Sequence, residues 1–365
     1  MKRILLLITA FLVVLILTVS VFLLVNSPGK TSQLRGVGGE SLADSIAEIR
    51  NVSINGVTQR LLIRGVDKNN PLLLHLHGGP GGPDQVILQQ FDKTLEDIFT
   101  VVYWDQRGSG ASYHSSMADQ SLTLADIVND GITVSEMLLN EFGQDQLYLH
   151  GHSWGTLLGV NMVSEAPELF KAFFAVGLFA DSQRSEKLSW DYAISSARAA
   201  GDKKTVERLN KIGSPPYKSD RQWIQSVTEQ RQLLWPYENP DAEPLYTTAE
   251  IYRWFALYKG YTLAEKFNVL SGLNYSMEKL WPTVVSTNLM NTHTNLAVPI
   301  YVFQGKYDQH TVTEVAKDYF NKIIAPDKQY HLFENSAHWP HVSEYDLYRA
   351  RIERHLQTIE GRQDK

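Results

Sequence analysis

Gly151-His152-Ser153-Trp154-Gly155 sets a serine between two glycines, after the apolar run 146–150 and ahead of a helical pattern over 154–164. Small flanking residues let a serine sit in a strained strand-to-helix turn, with its Oγ projecting off the carboxyl edge of a sheet. A serine hydroxyl is a weak nucleophile at neutral pH, so it needs a base, and the base needs an acid to orient it. In a sheet of this kind both follow later in the chain, acid before histidine, at strand ends. Asp308 comes directly after the apolar run 299–304, and His338 directly after 329–333. Of eleven histidines, His331 alternates within its strand and reads as structural, while His341 is the rival to His338. Asp181, behind an earlier strand, is the alternative acid.

Acyl transfer also requires donors for the negative charge that develops on the substrate oxygen. One is the N–H of the residue after the nucleophile, Trp154, and the other comes from the loop after the third strand. That loop is His77-Gly78-Gly79-Pro80-Gly81-Gly82-Pro83, leaving the apolar run 71–76. Gly78 or Gly79 would supply the second N–H, because a side chain there would block the approaching carbonyl. Losing one such donor costs about 10²- to 10³-fold in rate.

The elements that must carry these residues follow from periodicity. Runs 57–63, 71–77, 99–104, 146–150, 171–176, 299–304 and 329–333 read as strands, the first entered through a hairpin at Asn55-Gly56, the dipeptide that best tolerates a type I′ turn. Helical patterns over 123–142, 154–164, 311–324 and 343–358 alternate with them, which predicts a mostly parallel sheet with helices on both faces. From 181 to 295 strand signals vanish and helix-like stretches such as 185–200 and 248–258 take over. The expected organisation is therefore a core over 42–180 and 296–365 with a helical cap over 181–295.

The chain has 365 residues, 43% hydrophobic and 20% charged, with a net charge of −6 and no cysteine. That composition is globular and gives no basic stripe for nucleic acid. The absence of cysteine removes disulfides, thiolate metal sites and a cysteine nucleophile. Residues 4–25 are 22 positions without a charge, preceded by Lys2 and Arg3. About 20 residues span a hydrocarbon core of ~30 Å. An uncleaved anchor over 1–28, with a tether over 29–41, is favoured over a cleaved signal peptide and over a buried core helix. The charge flanks favour the N-terminus inside and the catalytic body outside the cytoplasm.

With these residues in place, the chain resembles the α/β-hydrolase superfamily, and more narrowly the proline iminopeptidase family, peptidase family S33. The resemblance rests on HGGPGG at 77–82, DQRGSGAS at 105–112, GHSWG at 151–155, and GKYD and SAHWP near the end. It spans about 45–180 and 296–350. It implies an α/β-hydrolase fold with a cap, and a loop over 105–110 bracing the site, with Arg107 structural. It also implies that a cap segment W-x-x-W-E-G supplies a glutamate for the substrate's amino terminus. Here Trp254-Phe255-Ala256-Leu257-Tyr258-Lys259-Gly260 is similar, so Trp254, Tyr258 and Lys259 become candidate substrate-binding residues, with a lysine where the family carries the acid. A second family glutamate corresponds to the region 288–291, which holds no acid. Unless Glu250, Glu265 or another cap acid substitutes, a substrate ammonium group is disfavoured.

The leading expectation is a membrane-anchored serine hydrolase acting on a small ester or amide through an acyl-enzyme intermediate. A proline iminopeptidase acting on short peptides is the alternative, followed by a catalytically dead hydrolase-like binding protein. Dehalogenase and epoxide-hydrolase chemistry would need Asp at position 153. No metal or organic cofactor is implied, because His75, His77, His150 and His152 on adjacent strand ends read as packing and loop bracing. The oligomeric state is not legible.

Overall fold

The structure is a computed structural model describing residues 2–239 and 245–363. The expected anchor, cap and core ranges include Met1, residues 240–244 and residues 364–365, which lie outside the described residues.

Among the described residues eight strands, numbered β1 to β8 in chain order, form one sheet, in which the segments follow as Ile46–Ile54, Val57–Gly65, Thr100–Asp105, Leu72–Leu76, Leu147–His152, Phe170–Val176, Ile300–Gly305 and Lys328–Phe333. β1 (Ile46–Ile54) and β2 (Val57–Gly65) make the antiparallel hairpin, closed by Asn55 at φ 46° and Gly56 at φ 79°, the two positive φ values that a type I′ turn demands. β2 joins β4 (Thr100–Asp105) antiparallel. From there β3 (Leu72–Leu76), β5 (Leu147–His152), β6 (Phe170–Val176), β7 (Ile300–Gly305) and β8 (Lys328–Phe333) pair in parallel.

Strands β3 to β7 are apolar along nearly their whole length because helices cover both faces. One face carries the larger core, with Leu74, Val102, Leu149, Phe173 and Val302 under the helices Leu124–Phe142, Trp154–Glu165 and Thr313–Lys322. The other packs Tyr103, Tyr148, Phe174 and Phe303 against Tyr348, Ile352 and Ile359 of the last helix, Tyr345–Gln363. Since the parallel strands share a direction, the loops after β3, β5, β7 and β8 meet at one edge. That edge gathers the glycine loop, Ser153, Asp308 and His338.

Between β6 and β7 the chain is helical: Ser182–Ala199, Lys203–Ile212, Asp220–Leu234, Thr248–Leu257 and Leu263–Ser286 are its main helices. Local sequence starts all five, with Asp181, Asp202, Ser219, Thr247 and Thr262 accepting from backbone N–H groups of the first turn. Before the core, Lys2–Val25 is a 24-residue helix with no buried residue, long and apolar enough to cross a membrane.

The stretch read as a tether is held against the body largely by its backbone. Lys30 N–H donates to the Lys259 carbonyl at 2.9 Å, Pro28 bridges Thr262, and Arg64 donates to Thr31 Oγ1 at 2.5 Å and to the Ser32 carbonyl at 2.7 Å. Apart from the Thr31 hydroxyl, these contacts are made by main-chain groups of the segment, which leave no trace in side-chain periodicity.

Candidate active site

Ser153 stands between the end of β5 and the helix starting at Trp154, with φ 56° and ψ −118°. A non-glycine residue at positive φ is strained and needs surroundings that over-determine it. Those surroundings are visible on both sides. A Cβ on Gly155 would run into the Leu76 carbonyl oxygen, and one on Gly151 would lie 2.5 Å from the Gly155 carbonyl oxygen. The Ser153 N–H is tied to the Val176 carbonyl at 2.9 Å. Trp154 is the first helical residue, so its N–H has no acceptor within the helix.

Asp308 and His338 come together beside it. The His338 Nδ1–H donates to Asp308 Oδ2 at 2.9 Å, in the tautomer this contact selects. Asp308 is fully buried and its two oxygens take further hydrogen bonds: Gln304 Nε2 and Thr311 Oγ1 at 2.8 Å to Oδ2, and the backbone N–H groups of His310 and Thr311 at 2.8 and 3.0 Å to Oδ1. Burial alone would raise this carboxyl. The His338 charge and these donors outweigh it and hold Asp308 below the usual carboxylate range. Burial pushes the His338 imidazole down to about 4, against the attraction of Asp308. The neutral ring therefore keeps its Nε2 lone pair free of a proton.

The glycine loop approaches Ser153 closely. A Cβ on Gly78 would sit 3.5 Å from the Ser153 Cβ, and Gly79 has φ 126°, open to glycine and strained for any side chain. His77 fixes the loop root. Its Nδ1–H donates to the Gly78 carbonyl at 2.7 Å, which leaves Nε2 to accept the Gln106 N–H at 3.3 Å. Burial holds His77 neutral, at about 4. Gln106 in turn accepts from Trp154 Nε1 at 3.0 Å, so the loop after β4 braces both the glycine loop and the elbow. Arg107 points away to Asp130, donating through Nε at 2.6 Å and through a terminal nitrogen at 2.7 Å, as a structural role requires.

A cavity of about 400 Å³ opens at this edge, lined by Gly78, Gly79, Ser153 and His338 from the core and by Trp235, Glu238 and Tyr246 from the cap segment. Several of its polar groups escaped the sequence reading. Glu238 Oε1 lies 2.5 Å from His310 Nε2, and the His310 ring stacks on His338 with centroids 4.5 Å apart. Asp84, on the cavity wall, accepts from His75 Nε2 at 2.6 Å, while its Oδ2 has no hydrogen-bond partner among the described residues and faces His152 Nδ1 at 3.6 Å. Asp84 thus accompanies the histidines of the strand ends. Among the described residues no group of three or more His, Cys, Asp or Glu has an arrangement able to hold a metal ion.

The remaining candidates lie elsewhere. Trp254, Tyr258 and Lys259 do not line the cavity beside Ser153; they line a separate cavity of about 640 Å³ with Lys30, Arg64 and Arg349. The cause is the turn itself: Tyr258 and Tyr261 tuck inward with ring centroids 5.1 Å apart, and the Tyr261 hydroxyl donates to Asp105. Lys259 is left on the outside. Glu250 and Glu265 both close capping boxes with Thr247 and Thr262, and Glu265 also pairs with Arg60. Asp181 caps its helix and accepts from Asn288 at 2.6 Å, far from the role of a histidine partner. His341 is buried beside Trp339 with neither ring nitrogen bonded among the described residues, and His331 pairs with His355 at 2.8 Å.

The strained elbow, the glycine loop and the parallel sheet are features of one large class, and comparison agrees. The family described as alpha/beta hydrolase fold matches residues 71–345, and the chain belongs to it. Within it the chain is proline iminopeptidase-like. It is 33% identical over 315 residues to the Bacillus subtilis protein named probable aminopeptidase YbaC, covering 85% of this chain and 96% of that one. It is 25% identical over 307 residues to a proline iminopeptidase of Saccharolobus solfataricus, covering 81% of this chain and 87% of the relative. The crystal structure of a proline iminopeptidase from Mycobacterium smegmatis superposes with a TM-score of 0.61 at 18% identity, covering 86% and 98% of the two chains, a likeness of fold.

Proposed function

We propose that this protein is a serine hydrolase that cleaves a small ester or amide through an acyl-enzyme intermediate. The observation that carries the reading is the Asp308–His338 hydrogen bond at the rim of the cavity that also holds Ser153. Ser153 Oγ attacks the carbonyl carbon and its proton passes to His338 Nε2, while Asp308 holds Nδ1–H and stabilises the imidazolium. The N–H groups of Trp154 and of Gly78 or Gly79 receive the oxyanion. His338 then gives the proton to the leaving group as the carbonyl–leaving-group bond breaks. Water, deprotonated by His338, releases the acid and returns the proton to Ser153.

A more specific form of this reading is an aminopeptidase acting on short peptides. It is supported by Asp84 and Glu238 on the cavity wall, where carboxylates attract a substrate's ammonium group, and by the name of the Bacillus subtilis relative. The objection raised by Lys259 loses its force, because that lysine lines a different cavity. Residues 181–295 act as the cap over the core. The helix Lys2–Val25 serves as a membrane anchor: 24 residues at 1.5 Å extend about 36 Å, more than the ~30 Å of a hydrocarbon core. With the N-terminus inside, the catalytic body is extracytoplasmic.

A panel of p-nitrophenyl acyl esters and of alanine and proline arylamides tests the reading. Wild type should hydrolyse at least one class. Removing a hydrogen bond to a charged group costs about 1.5–3 kcal/mol, so Glu238→Gln should lower kcat/KM on arylamides about tenfold or more relative to esters. Lys259→Glu should leave that ratio unchanged. Activity on neither class, or a ratio that follows Lys259 instead of Glu238, would contradict the proposal.

A further inference from the structure

The helix Lys2–Val25 ends against the cap segment. Lys266 Nζ donates to the Asn26 carbonyl at 2.8 Å and to the Ala256 carbonyl at 2.7 Å, joining the exit of the apolar helix to the end of Thr248–Leu257 and the first turns of Leu263–Ser286. Pro28 bridges Thr262 in the same place. Four exposed apolar side chains of the body adjoin this junction, while Val37 before the core and Ile324 after Thr313–Lys322 are exposed apart from it. Phe267 is 69% exposed, Tyr252 63%, Leu270 56%, and Leu257 is exposed between them.

Spacing keeps these side chains within about a turn of the junction. Lys266 and Leu270 are four residues apart on their helix, as are Tyr252 and Ala256 on theirs, so each apolar residue lies about 6 Å or less along its helix from a contact with Asn26 or Ala256. Bare phenyl and isobutyl groups in water at one point of a folded surface mark a contact surface. The apolar helix leaves the body at that same point, and the exposed cations Lys30, Arg253 and Lys259 surround it. An interfacial face combines these parts: apolar residues at the boundary of the acyl region and cations at headgroup level.

We propose that this face of the cap, built from Tyr252, Leu257, Phe267 and Leu270, lies in the surface of the bilayer that the N-terminal helix enters. The inference rests on the anchor reading and goes beyond it. A helix followed by a loose tether would let the body tumble in water, whereas this contact fixes the cap against the membrane.

The absence of cysteine allows clean single-site labelling. The full chain carrying a nitroxide at Phe267→Cys, Leu270→Cys or Tyr252→Cys, or at Val14→Cys within the helix, is reconstituted into phosphatidylcholine–phosphatidylglycerol vesicles. Collision with oxygen is compared with collision with a water-soluble nickel chelate. Labels at 252, 267 and 270 should favour oxygen, at depths of roughly 5–10 Å below the phosphates, and the label at 14 should lie deeper still. Chelate-accessible labels at 252, 267 and 270 with a buried label at 14 would overturn the face and leave the anchor intact. A chelate-accessible label at 14 would overturn both.

Discussion

Replacing Asp308 by Asn leaves the shape of the side chain and reverses one half of its hydrogen bonding. All five groups around the Asp308 oxygens in the structure are donors: three converge on Oδ2 and two on Oδ1. An amide has one NH₂, so one of these positions must set donor against donor. With NH₂ in place of Oδ1 it meets two backbone N–H groups that cannot turn. With NH₂ in place of Oδ2 it meets His338, Gln304 and Thr311, of which the imidazole can answer by changing tautomer. Nδ1 then accepts, the ring proton moves to Nε2, and the atom that should take the serine proton already carries one. The expected loss in kcat is on the order of 10⁴, the scale seen when a triad acid becomes its amide elsewhere, or about 5.4 kcal/mol of barrier. The assay is kcat/KM on the best ester or arylamide, with circular dichroism to verify folding. A folded Asp308→Asn protein within tenfold of wild type would refute the argument that Asp308 sets the His338 tautomer.

Two stability predictions follow from buried charge. Burial lowers His77 and His338 to about 4, from an ordinary 6.5, so the unfolded chain binds more protons than the native one between these values and stability falls as pH falls through that window. Each unit is worth about 1.4 kcal/mol, so urea midpoints at pH 7 and 4.5 should differ by several kcal/mol in unfolding free energy, and equal midpoints would contradict it. Glu265→Ala should cost roughly 3 kcal/mol, the low end for breaking a buried ion pair, because Arg60 keeps Asn51 and the Gly260 carbonyl as partners. A loss below about 1 kcal/mol would show that the pair is not buried in solution.

Local chemistry made the sheet legible. Apolar runs, the Asn55-Gly56 turn and the glycines around Ser153 each act over a few residues, and the sequence placed Asp308 and His338 behind the two strands whose ends bring them within 2.9 Å. What stayed hidden depends on contacts across long stretches of chain. Glu238 meets His310 only because the segment after Asp220–Leu234 returns over the sheet edge, 72 positions from its partner. Lys259 misled because a similar string of residues does not fix which way a turn faces; the Tyr261 hydroxyl on Asp105 does that. The seat of the tether is invisible for another reason, since hydrogen bonds from its main chain have no residue signature.

The central claim is that Ser153 is an activated nucleophile. Incubation of the full chain with a fluorophosphonate probe, followed by intact-mass and peptide mass spectrometry, reads this directly. The account predicts one adduct per chain, located on Ser153 and absent from folded Ser153→Ala. A folded wild-type protein that forms no adduct, or forms it on another residue, would contradict the claim.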